Sequence, residues 1–231
     1  MKAVFFDFDG TLTHKGQNVW KRIWERLGYD IGKGSYYRQL YKNYMDNKIT
    51  HQQWCDLTCE AFMKRGMTRQ MLKEVASEIQ LLGGVRRTFI KLKRQGFKIF
   101  IVSGNIIEVI EDVIGSAVNN VDVLMANVFV FDDEGKLTRI AGTSYDFEGK
   151  AKFIEEFKTK TNSNANDLYF VGNGGNDEWA YLSGCHTICI NPDGANFEDN
   201  TKWHAVVDNV TDLEQIMPFI NAEQDQEIEN D

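Results

Sequence analysis

Four apolar residues, Ala3-Val4-Phe5-Phe6, run without a break into Asp7-Phe8-Asp9-Gly10-Thr11-Leu12-Thr13. Burying an unpaired carboxylate is very costly. Two aspartates at the end of a wholly apolar strand must therefore stand at an edge where something compensates their charge. In a parallel α/β sheet, the carboxyl ends of the strands form that edge, and ligands bind there. The i, i+2 spacing points both side chains the same way if the strand continues, and the turn at Gly10 can re-aim the second. Such a pair suits a divalent cation together with a nucleophile, a combination typical of phosphoryl transfer.

The rest of the chain divides by period. Residues 17–82 carry helical spacing and almost no strand signal. Val19, Trp20, Ile23, Trp24 and Leu27 form one stripe, and Trp54, Leu57, Ala61 and Phe62 another. Tyr37, Tyr41 and Tyr44 fall at i, i+4 and i+7 and read as a packing seam rather than a binding cage. Thr68 is the expected N-cap of a helix over 70–82 that stops at Gly83-Gly84. From residue 84 onward strands and helices alternate. Helix 85–95 leads to strand 97–102, which ends at Ser103; helix 106–115 leads to strand 121–125. A hairpin over 128–141 turns at Asp132-Asp133-Glu134-Gly135, and helix 150–159 precedes strand 168–171. Short strands at 187–190 and 205–207 and a last helix at 212–220 complete the pattern. Such alternation predicts an α/β fold, a doubly wound, mostly parallel Rossmann-like sheet. The expected division is residues 1–14 and 84–220 as the α/β core, 15–83 as an inserted all-helical domain, and 221–231 as a tail.

Asp7-Phe8-Asp9-Gly10-Thr11-Leu12-Thr13 resembles the first motif of the haloacid dehalogenase-like (HAD) phosphohydrolases, and the other three follow in order. Ile101-Val102-Ser103-Gly104-Asn105 resembles the second, Lys150 in Glu148-Gly149-Lys150-Ala151-Lys152 the third, and Val171-Gly172-Asn173-Gly174-Gly175-Asn176-Asp177-Glu178 the fourth. The resemblance runs to about Asn209. It implies that Asp7 is the nucleophile and Asp9 the general acid and base. Ser103 and the Gly104 amide would bind phosphate, and Lys150, rather than nearby Lys152, would neutralise the phosphoryl oxygens. The helical insert resembles the family's cap, a lid over the site. A second aspartate, here Asp9, distinguishes the phosphatases of this family from its dehalogenases. Asn105 is read as a cap of the following helix.

The fourth motif departs from the family, which has aspartate where this chain has Asn173. The resemblance implies Mg2+ held by Asp7, Asp9 through its carbonyl, Asn173 and Asp177. An amide oxygen brings no charge to a hard cation, so weaker affinity is expected. Within the family the chain looks most like the phosphoserine phosphatase branch, through the helical cap and the hairpin with Ala126-Asn127 and Gly135-Lys136-Leu137-Thr138. That branch's substrate-reading glutamate aligns with Gly16 and its cap arginine with a position near Thr58. Arg38, Lys42, Lys64 or Arg65 stand as substitutes, each more simply read as solvated surface. The expected substrate is a small phosphorylated metabolite, with phosphoserine as the alternative. A catalytically weak relative that binds a phosphorylated ligand is the alternative from another class.

Composition bounds the partners. The net charge is −8, and five of those charges lie in the tail, which holds five acids and no base and reads as a solvated, disordered end. An acidic balance argues against nucleic acid, and no run approaches the about 18 apolar residues of a membrane span. Aspartates from the seventh residue leave no room for a signal peptide, so a cytoplasmic protein is expected. His51, Cys55 and Cys59 share a helical stripe, but three ligands at that spacing make a poor zinc site. Buried reduced thiols are the better reading of the four cysteines. The sequence sets no oligomeric state.

Overall fold

A computed structural model describes residues 1–192 and 200–220; the acidic tail lies outside the described residues. Seven strands form one sheet in the order β4-β3-β2-β1-β5-β6-β7. They are β1 (Ala3–Phe6), β2 (Lys98–Ile106), β3 (Val123–Phe131), β4 (Leu137–Ala141), β5 (Leu168–Gly172), β6 (His186–Ile190) and β7 (Ala205–Val207). Every neighbouring pair is parallel except β3 with β4. The doubly wound α/β sheet expected from the sequence is therefore the fold.

The opening strand is central because it is apolar on both faces. All four residues of β1 are fully buried, and the pleat divides them. Val4 and Phe6 enter the larger core, where Phe6 meets Phe89 at 5.2 Å. Ala3 and Phe5 enter the smaller one, where Phe5 stacks on Phe100 at 4.8 Å. Phe89 belongs to α5 (Val85–Arg94), and the smaller core is closed by Phe153 and Phe157 of α7 (Glu148–Thr161). Asp7 has the parity of Phe5, so it faces the α7 side.

Between β1 and α5 lie four helices: α1 (Val19–Arg26), α2 (Tyr36–Met45), α3 (His51–Lys64) and α4 (Arg69–Ser77). Side-chain oxygens of Asn18, Ser35, Thr50 and Thr68 cap them, each accepting from a backbone N–H. Their shared centre is Trp24, in edge contact with Tyr29 and Phe62 at 4.8 Å each. The two chain segments joining this block to the sheet pair with one another. Leu82 N donates to Leu12 O at 2.8 Å and His14 N to Gln80 O at 3.1 Å.

That pairing shortens α4, which ends at Ser77 rather than at residue 82: Glu78 and Ile79 close a turn, and the chain around Leu81 then runs beside Thr13. Two further boundaries differ. Ser103 does not end its strand: β2 runs on to Ile106, with a register shift against β3 between Val102 and Ile106. Residues 121–125 and 128–131 are not separate strands, since β3 is continuous through Ala126-Asn127. Asparagine is unfavourable inside a strand, but Asn127 is fully buried and its amide is satisfied by neighbouring loops. The last segment begins as a 3-10 turn, Leu213–Ile216, capped by Asp212, before α8 (Met217–Ile220). α6 (Ile107–Ile114) completes the helices.

Candidate active site

Asp7 follows β1 directly and its N–H donates to Val171 O at 3.0 Å. It is thus set between the ends of β2 and β5, which carry the second and fourth motifs. Its side chain is 4% exposed, and Oδ1 accepts from Lys150 Nζ at 3.0 Å. Lys150 rises from the first turn of α7, is fully buried, and also pairs with Asp177 and, at 3.8 Å, with Asp146. Burial alone would depress the ammonium, but Asp177, Asp7 and Asp146 together hold its pKa above the ordinary lysine value. Burial pushes the Asp7 carboxyl up to about 7; Lys150 opposes that shift and the charge on Asp177 adds to it.

Asp9 is re-aimed by the turn at Gly10. Gly10 has φ +73°, and a Cβ there would lie 2.0 Å from Asn173 Nδ2, so only glycine lets the first and fourth motifs meet. Asp9 Oδ1 accepts from Asn105 Nδ2 at 2.9 Å. Burial, then the charge on Asp7, raises its pKa well above the usual carboxylate range. Asn105 does not cap the following helix, whose N-cap position is Ile106 with no side-chain cap bond. Its Oδ1 accepts from Ile106 N at 2.7 Å within β2, while its amide nitrogen reaches across to Asp9.

Ser103 is buried at the bulge in β2, with its Oγ accepting from Asn105 N at 3.3 Å. The bulge is clamped from beneath, as Asn127 Nδ2 donates to Gly104 O at 2.6 Å and to Asn105 O at 3.0 Å. From above, Trp20 of α1 donates through Nε1 to the same Gly104 oxygen at 2.9 Å. A Cβ on Gly104 would lie 2.5 Å from Asp146 Oδ2, so the Asp146 carboxylate packs directly against the Gly104 backbone.

Asp177 is fully buried with both oxygens engaged. Oδ1 takes the Lys150 ammonium, and Oδ2 accepts from Asn173 N at 2.8 Å and Gly174 N at 3.2 Å. It organises the fourth-motif loop and holds Lys150. Among the described residues no three His, Cys, Asp or Glu side chains form a metal-holding group. The donor set nonetheless fits a hard cation by charge. Asp7, Asp146 and Asp177 share one lysine and Asp9 stands close to Asp7, and burial together with neighbouring acids raises the pKa of Asp7 and Asp9. The oxygens that could hold a cation are those of Asp7, the Asp9 carbonyl, Asn173 and Asp177, the last directly or through water.

These groups form the floor of a cavity of about 850 Å3, roofed by the helical block. Tyr37, Tyr41 and Tyr44 line the roof, and Leu40 is the one residue of α2 buried outright. The tyrosines are thus not simply a packing seam. Tyr37 and Tyr44 rest on Trp24 and Trp54 while facing the cavity, and Tyr41 is 40% exposed. Of the four substitute cations, Arg38 lines the cavity, whereas Lys42 pairs with Asp46 and Arg65 lies over Tyr29. Thr58 is buried with its hydroxyl unpartnered and is not among the lining residues. All four cysteines are buried and unbridged, and burial pushes the Cys55 thiol up to about 12.

Sequence reasoning missed Asp146 and Asn127. The signal for Asp146 was its place four residues before Lys150 on the approach to α7; its neighbour Phe147 holds φ +48° and touches Tyr44 at 5.9 Å. Asn127 gave no local signal of a role at the site.

A family model described as hydrolase, haloacid dehalogenase-like hydrolase, matches residues 1–181, stopping short of Asn209. The phosphoserine phosphatase of Archaeoglobus fulgidus is 26% identical over 180 residues, 76% of this chain and 48% of that protein. That of Wolinella succinogenes is 24% identical over 181 residues, 77% of this chain and 81% of the relative. The chain spans about half the length of the Archaeoglobus protein. Among solved structures, a phospho-aspartyl intermediate analogue of phosphoserine phosphatase superposes with a TM-score of 0.69 at 22% identity, covering 95% of this chain and 98% of the other. A probable phosphoserine phosphatase from Vibrio cholerae gives 0.73 at 15% identity, covering 100% and 68%. At those identities the likeness is one of fold.

Proposed function

The chain belongs to the haloacid dehalogenase-like hydrolases, and on that premise we propose that it is a magnesium-dependent phosphomonoesterase acting on a small phosphorylated metabolite through an aspartyl-phosphate intermediate. The observation that carries the reading is the state of Asp7: one oxygen is pinned by Lys150 at 3.0 Å, and the residue lines the cavity floor. A fixed lone pair and an adjacent buried cation are what an in-line attack on phosphorus requires.

In the first step an Asp7 oxygen attacks phosphorus and the bond from phosphorus to the ester oxygen breaks. Asp9, protonated because its pKa is raised, gives that proton to the departing alkoxide. In the second step water attacks the same phosphorus and its proton passes to Asp9. The acyl phosphate bond breaks, releasing inorganic phosphate and restoring the Asp7 carboxylate. Ser103, the Gly104 amide and Lys150 stabilise the phosphoryl oxygens throughout. Asp7, the Asp9 carbonyl, Asn173 and Asp177 would hold Mg2+, which supplies positive charge to the phosphoryl group and offsets the surplus of acids. The α1–α4 block acts as the cap, covering residues 15–83 between the two parts of the core.

Phosphoserine is the second reading, favoured by the names of the relatives. Against it stands Thr58, which is near the place the resemblance gives to the carboxylate-reading arginine, is buried and does not line the cavity. The test is release of phosphate from an aryl phosphate with and without Mg2+, for the native protein and Asp7→Asn. Magnesium-dependent release that falls by ~10^4-fold or more in a folded variant supports the mechanism. Retained turnover in Asp7→Asn would refute it, and no release at any Mg2+ concentration would point to a phospho-ligand-binding protein instead.

A further inference from the structure

Resting on that reading, we infer that the alcohol carried by the substrate is a flat, unsaturated ring bearing a negatively charged group, rather than a short aliphatic chain. The roof of the cavity is built for such a body. Tyr37, Tyr41 and Tyr44 present one face of α2 to it, at a spacing that stacks side chains along a single stripe. Trp54 and His51 of α3 line the same roof, with their rings 5.9 Å apart and 21° from parallel. Burial lowers the pKa of His51, so this stretch of wall is uncharged at neutral pH. Half-exposed aromatic faces around a cavity offer offset-stacked and edge contacts to a second ring and little directional gain to an alkyl chain.

Charge bears on the rest. Asp146 and Glu178 also line the cavity, Asp146 beside Lys150 at 3.8 Å and Glu178 beside Lys202 at 2.8 Å. The acids thus belong with the floor and its cations, whereas Arg38 stands on the roof. Arg38 is the one lysine or arginine among the described residues lining the cavity. Its guanidinium lies 5.6 Å from the centre of the Tyr37 ring, and Nε donates to Ile31 O at 3.2 Å, which fixes it on the roof. A cationic leaving group, the other guest an aromatic cage accepts, would meet Arg38 as a like charge. An anionic one would meet a planar donor suited to carboxylate. At about 850 Å3 the cavity lies in the upper part of the range that holds ring-sized ligands.

Four esters that all leave as primary alkoxides test this without differences in leaving-group chemistry: propyl phosphate, L-phosphoserine, benzyl phosphate and 4-carboxybenzyl phosphate. With the full chain and saturating Mg2+, kcat/KM for benzyl phosphate is expected to exceed that for propyl phosphate by on the order of tenfold, with 4-carboxybenzyl phosphate higher again. Tyr41→Leu should lower the benzyl-to-propyl ratio through KM, with kcat for benzyl phosphate little changed. Arg38→Met should erase the advantage of the carboxylate and leave the benzyl-to-propyl ratio standing. Propyl phosphate or phosphoserine turned over as well as the benzyl esters would overturn the inference and leave the phosphatase reading intact. Variants that lower all four esters equally would show a structural role and also overturn it. No turnover of any ester would overturn the phosphatase reading and this inference with it.

Discussion

The floor and the roof of the cavity are held in different ways. On the floor the supporting groups have two or more partners: Lys150 meets three carboxylates, Asp177 meets a lysine and two backbone amides, and Gly104 O accepts from Asn127 and Trp20. The roof is made of rings in tilted and stacked contact with one another, several of them partly exposed, with Tyr41 at 40%. A floor so constrained would hold the proposed phosphoryl chemistry constant. A roof with few directional contacts leaves the choice of leaving group to the shape and charge of a handful of side chains.

The sharpest way to break that contrast is Lys150→Met. Removing the one cation among buried acids should destabilise the fold by about 3–5 kcal/mol, read as a lower Tm, and reduce turnover by ~10^3-fold or more; a variant as stable as the native protein would show the floor is not so constrained. Asn173→Asp should sharpen the contrast by adding charge at the cation-facing position. The Mg2+ concentration for half-maximal activity is expected to fall by roughly tenfold, and an unchanged value would place Asn173 away from the cation. The pH profile follows from Asp7. With its pKa raised to about 7, kcat/KM at low Mg2+ should rise with pH through that value, because the nucleophile must ionise. Saturating Mg2+ favours the carboxylate, so the acid limb should move to lower pH; a limb that stays fixed would separate Asp7 from the cation. The same raised pKa makes the ionised form costly in the folded state, so without Mg2+ stability should decline as pH rises from about 4 to 7. The smallest effect is expected for Trp20→Phe, which removes one hydrogen bond between roof and floor. Because Gly104 O keeps its bond from Asn127, about 0.5–1 kcal/mol should be lost, with a change of two- to threefold in KM; a larger loss would mean the roof helps hold the floor.

What the sequence made legible was local. The apolar run before Asp7, the period change at residue 84 and the stripe of α1 each lie within a few residues, and each appears in the structure. Asn127 and Asn105 were opaque for the opposite reason. Their partners are 23 and 96 residues away, and an asparagine in a strand or before a helix reads as a break or a cap until those partners are in place. Ser103 was placed one bulge too early as the end of β2, since a register shift leaves no mark in composition. α4 was read as five residues too long because its apolar pattern continues through Ile79 and Leu82, which are buried against other elements past the end of the helix. The tyrosines of α2 have the same spacing whether they face a core or a cavity, and the sequence alone does not choose.

The paired segments at Leu12–Leu82 and His14–Gln80 carry a consequence for how such a chain can change. The excursion from the sheet leaves and returns at adjacent points, stitched there by backbone bonds that ignore side-chain identity. Loop-closure cost grows only slowly with length once the ends are fixed together, and insertions succeed where the ends meet. The helical block is in that sense an exchangeable attachment on a fixed socket. Its length and lining can drift so long as the contacts of Trp20 and Phe62 with Phe129, and the backbone bonds of Met67 and Arg69 to the β3–β4 hairpin, are kept.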